Sequence, residues 1–197
     1  MKKKLIKTAI ISFVAVIALV FTVIGVVSLA APRKMARLCE NVGLKNAAVY
    51  YYRADYERDR DINKLADVVD AADFANDDDT LANYGEKLVR SSDFADFCAK
   101  KDETKSSLSK ISSYDYYCYL AVTSAYKLKK YDVSAEIAVK KTAEYGEYSP
   151  LSVAIKTAKD NADKEYAAKI IESYDKYGST ITKNEKLKQD LKSLEDI

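Results

Sequence analysis

The chain has 197 residues, with 32 basic and 30 acidic side chains, 48% apolar residues, two Pro, five Gly, 16 Tyr and no His or Trp. That balance is globular rather than disordered, and so few breakers point to helices joined by short turns, an all-α fold class. Absent His removes the commonest general base and the commonest transition-metal ligand, so no enzyme, cofactor or small-molecule substrate is expected. Lys2, Lys3, Lys4 and Lys7 sit at the N-terminus, and without them 28 basic residues face 30 acidic ones. No basic face remains for a nucleic acid.

Residues 1–7 form a basic N-terminus, and residues 8–31 read TAIISFVAVIALVFTVIGVVSLAA, without a charge. A bilayer core needs about 20 apolar residues in a helix, so this run is expected to span as a single-pass signal anchor. Positive charge is heavier before the run than after it, where Arg33, Lys34 and Arg37 follow. The positive-inside rule then places the N-terminus in the cytoplasm and the rest of the chain outside it. The rival reading is a cleaved signal peptide, with Ser28-Leu29-Ala30 as its small-x-small site; the apolar run is long for one. Cys39 lies behind three basic residues and is no lipoprotein acceptor.

Beyond the run, only helical periodicity is found. Expected helices cover 33–42, with continuation of the membrane helix past Pro32 left open, then 44–58 and 62–74, the last with Leu65, Val68, Val69 and Ala72 on one face. The polar string NDDDT from Asn76 separates these from helices at 81–90 and 94–101, the latter opened by Ser91-Ser92-Asp93. Residues 105–112 read as a loop. Helices at 113–129 and 133–145 follow, Gly146 and Ser149-Pro150 mark a break, and 151–159 and 164–177 make another pair closed by Gly178. A capping helix within 179–197 carries Leu187, Leu191 and Leu194 on one stripe.

The window YLAVTSAYKLKKYDVSAEIAVKKT places Tyr119, Val122, Thr123 and Tyr126 on one helix and Ala135, Val139 and Thr142 on the next. It resembles the tetratricopeptide repeat, a helix hairpin of about 34 residues with small-bulky-small spacing on its second helix. Ala47, Tyr51 and Ala54 repeat that spacing, preceded by Met35, Ala36 and Cys39 with a loop one residue short. Ala167, Ile171 and Tyr174, after Ala154 and Ala158, make a weaker copy. The resemblance implies an α-solenoid of such hairpins over residues 32–178; an irregular helical bundle is the alternative.

Asp77, Asp78 and Asp79 fail the calcium-loop pattern, since Leu81 and Lys87 stand at its sixth and twelfth positions. They read as a solvated cap. Cys39, Cys98 and Cys118 are far apart and odd in number, so zinc is not expected; buried thiols are favoured over a single Cys98–Cys118 disulfide. The string RADYERDRD from Arg53 reads as a solvated helix end with local ion pairs.

SSYDYYCY from Ser112 concentrates Tyr114, Tyr116, Tyr117 and Tyr119. In the resembled family the first helix of a hairpin lines a peptide-binding groove. A phenol can bury its ring and still hydrogen-bond, as interfaces require. Tyr114, Tyr116, Tyr117 and Tyr52 are the expected partner-binding residues, with Tyr51 in the core; the bland alternative is packing by Tyr119 and Tyr126 with the others half-exposed. The expected function is a membrane-anchored adaptor for a protein or peptide partner. The alternative is a structural subunit of a larger membrane or envelope complex.

Overall fold

The computed structural model describes residues 12–19, 22, 25–26, 30–104, 111–146, 149–181 and 185–197. Among these residues the fold is all-α, with no strand. From Pro32 onward the helices are α1 (Pro32–Asn41), α2 (Lys45–Asp59), α3 (Ile62–Ala75), α4 (Asp78–Val89), α5 (Phe94–Glu103), α6 (Ser113–Lys127), α7 (Tyr131–Tyr145), α8 (Ser149–Asp160), α9 (Lys164–Tyr177), a 3-10 turn (Gly178–Ile181) and α10 (Glu185–Lys192). They divide into two compact units, Met1–Arg60 and Asp61–Ile197.

The expected span at 8–31 lies partly outside the described residues. Of its described part, residues 12–19 are helical. Among the described residues no helix is long and apolar enough to cross a membrane. Ala31 has φ −143° and ψ 65°, outside the helical range, so α1 begins afresh at Pro32 and does not continue the preceding helix. Pro suits this first position because its missing N–H would have no intrahelical acceptor there.

In the first unit, α1 packs on α2 across a turn in which Gly43 takes φ +77°. The buried face of α2 is Ala48, Val49, Tyr52 and Asp55. This corrects the expected register by one residue. Tyr52 is buried, and its hydroxyl donates to Glu40 at 2.9 Å, whereas Tyr51 is only half-buried and stacks edge-on against the exposed Tyr50. Ala48, Tyr52 and Asp55 keep the same 4-and-3 spacing as Ala47, Tyr51 and Ala54. One step along a helix is about 100° of rotation, so the small-bulky-small pattern fits both faces. What selects the inner one is the acceptor on α1.

In the second unit, helix starts are written locally. Asp61 accepts from the backbone N–H groups of Asn63 and Lys64, Asp77 from Thr80, Ser112 from Asp115 and Asp163 from Tyr166. Each satisfies donors that have no partner in the first turn. Asp77 thereby pulls Asp78, Asp79 and Thr80 into α4, which starts three residues before the expected position. Asp78 then pairs with Lys127 of α6 at 2.8 Å.

The principal packings join helices one or two apart in sequence: α3 on α4, α4 on α6, α6 on α7 and α8, and α7 on α8 and α9. At the α4–α6 crossing, a Cβ built on Gly85 would sit 3.4 Å from the Ala121 Cα, so the small pair lets the two backbones approach. The α5–α6 connection is clamped at its ends, where Asp102 accepts from the backbone N–H and hydroxyl of Ser113 at 2.9 and 2.6 Å. Arg90, at the end of α4, reaches Glu136 of α7 at 2.9 Å; that hydrogen bond, with Lys140 assisting, holds the Glu136 carboxyl down at about 2. Leu187, Leu191 and Leu194 are buried, as their stripe implies for a terminal cap. Cys39, Cys98 and Cys118 are buried free thiols, and burial pushes the Cys118 thiol up.

The register of α2 is directly testable. Tyr52→Ala should cost about 3–5 kcal/mol, the range for emptying an aromatic core site, while Tyr51→Ala should cost under about 1.5 kcal/mol. Thermal melts followed by circular dichroism would separate the two, and equal losses would contradict the register.

Candidate functional site

Helix α6 carries the densest tyrosine run, and its neighbours sort those tyrosines by face. The packed face is Tyr114, Tyr117, Cys118, Ala121, Val122 and Ala125, all buried. Tyr117 is fully buried; its hydroxyl donates to Asp70 of α3 at 3.1 Å and meets the Lys101 ammonium of α5, which itself donates to Asp70 at 2.9 Å. Lys101 also lies 5.6 Å from the Phe97 ring centroid, an added cation–π contact. Tyr114 is buried between Phe94 and Tyr145 and donates to the Lys141 carbonyl of α7 at 2.9 Å. Burial raises both phenol pKa values, the nearby Asp70 charge adding to it at Tyr117. These hydroxyls therefore stay protonated and act as donors.

The opposite arc of α6 is different. Tyr116, Tyr119, Thr123 and Tyr126 follow at spacings of three, four and three, which stack them within one narrow stripe. Tyr119 is 50% exposed. Tyr116 and Tyr126 are half-buried and tied at their ends: Tyr116 donates to Asp73 of α3 at 2.8 Å, and Tyr126 to Asp163 at 3.2 Å. Burial, followed by the Asp73 hydrogen bond, raises the Tyr116 pKa. Thr123 turns its hydroxyl back onto the Tyr119 carbonyl at 2.7 Å. Lys127 at the end of the stripe is drawn aside by Asp78. The result is a strip of aromatic surface whose polar ends are fixed.

Asp163 illustrates how the acids are shared. One carboxylate oxygen caps α9 by accepting the Tyr166 N–H at 3.0 Å; the other accepts Tyr126 of α6 and Tyr131 of α7 at 3.2 and 2.8 Å. Its pKa is lowered by these hydrogen bonds against the opposing effect of burial. The rings of Tyr126, Tyr131 and Tyr166 pack together with centroids 4.8–5.5 Å apart.

Of the four expected partner-binding tyrosines, only Tyr116 reaches the open arc. Tyr114 and Tyr117 are packed on the inner face of α6, and Tyr52 is packed inside the first unit, so none of the three offers a ring to a partner. Tyr119, read as a packing residue of the repeat, is the exposed centre of the stripe. The missed signal is the run Cys118, Ala121, Val122 and Ala125: small residues mark the side where another backbone comes close, and the tyrosines opposite them face outward. Among the described residues no group of His, Cys, Asp or Glu is arranged to hold a metal ion. An open depression of about 380 Å³ between α9 and α10 is lined by the apolar Ile171 and Leu191, by Tyr174 and by charged side chains including Asp175, Lys188 and Glu195. No protein-family model, no curated protein and no solved structure matches this chain.

Limited iodination followed by peptide mass spectrometry should modify Tyr119 and Tyr50 well before Tyr117 and Tyr166. Early labelling of Tyr117 would show that the inner face of α6 has been misassigned.

Proposed function

We propose that the chain is a non-enzymatic adaptor, anchored in a membrane through residues 8–31, which takes a protein or peptide partner along the outer arc of α6. The observation that carries this reading is the exposed Tyr119, centred between two tyrosines whose hydroxyls are already bound. Pre-tied side chains lose little rotamer freedom when a partner arrives, which lowers the entropic cost of binding. Aromatic side chains with few charges beside them are the composition found at the centre of interfaces.

A tetratricopeptide-like reading of the helices points to the same site. Packing between helices one or two apart is what stacked hairpins produce, and α6 and α7 stand where the first and second helices of one hairpin would. Ala135, Val139 and Thr142 are all buried, as the second-helix spacing requires. Under this reading the α6 arc is the groove side of the stack. The anchor is supported by the uncharged run at 8–31 and by Phe13, Val14, Val16 and Leu19, each more than half exposed on the described helical residues. An apolar surface of that kind fits lipid better than water. The N-terminal lysines support a helical domain outside the cytoplasm.

A photo-crosslinking residue placed at position 119 in native membranes should give one dominant adduct with a partner, and the same residue at exposed position 172 of α9 should not. Adducts of equal yield at both positions, or none at 119, would remove the α6 arc as a binding surface.

A further inference from the structure

The first unit presents a second surface, on α1. Ala36, Cys39 and Pro32 are buried against the rest of the unit. On the other side Lys34, Arg37, Leu38, Asn41 and Val42 are exposed. Their spacing places all five within one arc of about 140°. Leu44, just past the Gly43 turn, is exposed as well; Leu38 is 52% exposed, Val42 60% and Leu44 58%. Leu38 and the C-cap Val42 lie on the arc of Lys34 and Arg37, and with Leu44 exposed just past the turn they make an apolar, basic surface suited to a lipid interface.

The backbone just before α1 matters here. The uncharged run ends at Ala31, whose non-helical backbone interrupts the helix just before α1. Arg58 of α2 donates to the Ala30 carbonyl at 3.5 Å, which ties the far end of the hairpin back to this junction. With residues 8–31 in a bilayer, α1 starts at the level of the head groups. A face of Leu38, Val42 and Leu44 flanked by Lys34 and Arg37 has the chemistry of that layer: acyl-chain margin below, phosphate above.

We infer that the outer face of α1 is a lipid-binding surface that lies in the head-group layer and selects anionic lipid. This rests on the reading of residues 8–31 as a membrane anchor. The two cations supply the selection, each contributing about fivefold in partitioning at an anionic surface. The three apolar side chains supply the depth.

The chain has no Trp, so Val42→Trp in the intact 197-residue chain introduces a single reporter. The protein is reconstituted into vesicles of phosphatidylcholine, or of phosphatidylcholine mixed with phosphatidylglycerol, each with brominated acyl chains. Emission at shorter wavelength and strong quenching in the anionic vesicles are expected. Both should fall in phosphatidylcholine alone and when Lys34→Glu and Arg37→Glu are added. Leu38→Trp repeats the test if Val42→Trp does not fold. Protein that floats with the vesicles while the reporter stays unquenched overturns the α1 surface and leaves the anchor standing. Protein that fails to float overturns both. Equal quenching in the two vesicles, unaffected by charge reversal, overturns the anionic selection. A wavelength shift that grows with protein concentration and not with lipid means a second copy covers the face, which also overturns the proposal.

Discussion

A buried phenol must find an acceptor, and in this protein that requirement ties helices together. Leaving a hydroxyl unpaired in an apolar interior costs about 1–3 kcal/mol. The second unit meets this by sending tyrosines from one helix to acids or carbonyls on another. Tyr117 and Tyr116 run from α6 to Asp70 and Asp73 of α3, Tyr114 to the α7 backbone, and Tyr126 and Tyr131 to the α9 cap. The deepest tie is a relay. Ser134 of α7 donates to the Val122 carbonyl of α6 at 2.8 Å, so its oxygen is left to accept from the fully buried Tyr166 of α9 at 2.5 Å. Three helices are thus held by two hydroxyls. Small residues such as Ala121, Ala125 and Ala138 bring helices close, but they specify little about rotation. The phenols fix rotation, because each reaches its acceptor from one face only.

This sorting gives the surplus of tyrosine its meaning. Most of the tyrosines on α6, α7 and α9 are structural, and the same constraint that buries Tyr117 turns Tyr119 outward. Structure and proposed function therefore meet on one helix. Its inner face is committed to neighbours, and its outer arc is an aromatic strip already stiffened at both ends. The first unit repeats the device on a small scale, with Tyr52 on Glu40, and leaves α1 with an outer face of a different kind, apolar and basic.

The helices were legible in the sequence to within about three residues because their ends are local chemistry. Gly43, Asp61, Asp77, Gly146 and Asp163 each stop or start a helix through their own backbone or side chain. The faces were not legible. Ala47, Tyr51 and Ala54 look as good as Ala48, Tyr52 and Asp55 until Glu40 is in view, and an acid on a buried face is the last choice a hydrophobicity pattern would make. Tyr114 and Tyr117 are indistinguishable by type from Tyr116 and Tyr119. Only the positions of α3, α5 and α7 divide them. Some turns were hidden too, since Arg60, Lys129 and Ala162 take the left-handed conformation usually left to Gly or Asn.

The most direct test is a double-mutant cycle on the buried relay, with Tyr166→Phe, Ser134→Ala and their combination compared by denaturant unfolding. If the hydroxyls act as a coupled tie, each single variant should lose about 1–3 kcal/mol by orphaning a buried partner, and the double variant should lose no more than the larger single one. Simple additivity of the two losses would contradict the account, because it would mean that the phenols fill space without fixing the helices to one another.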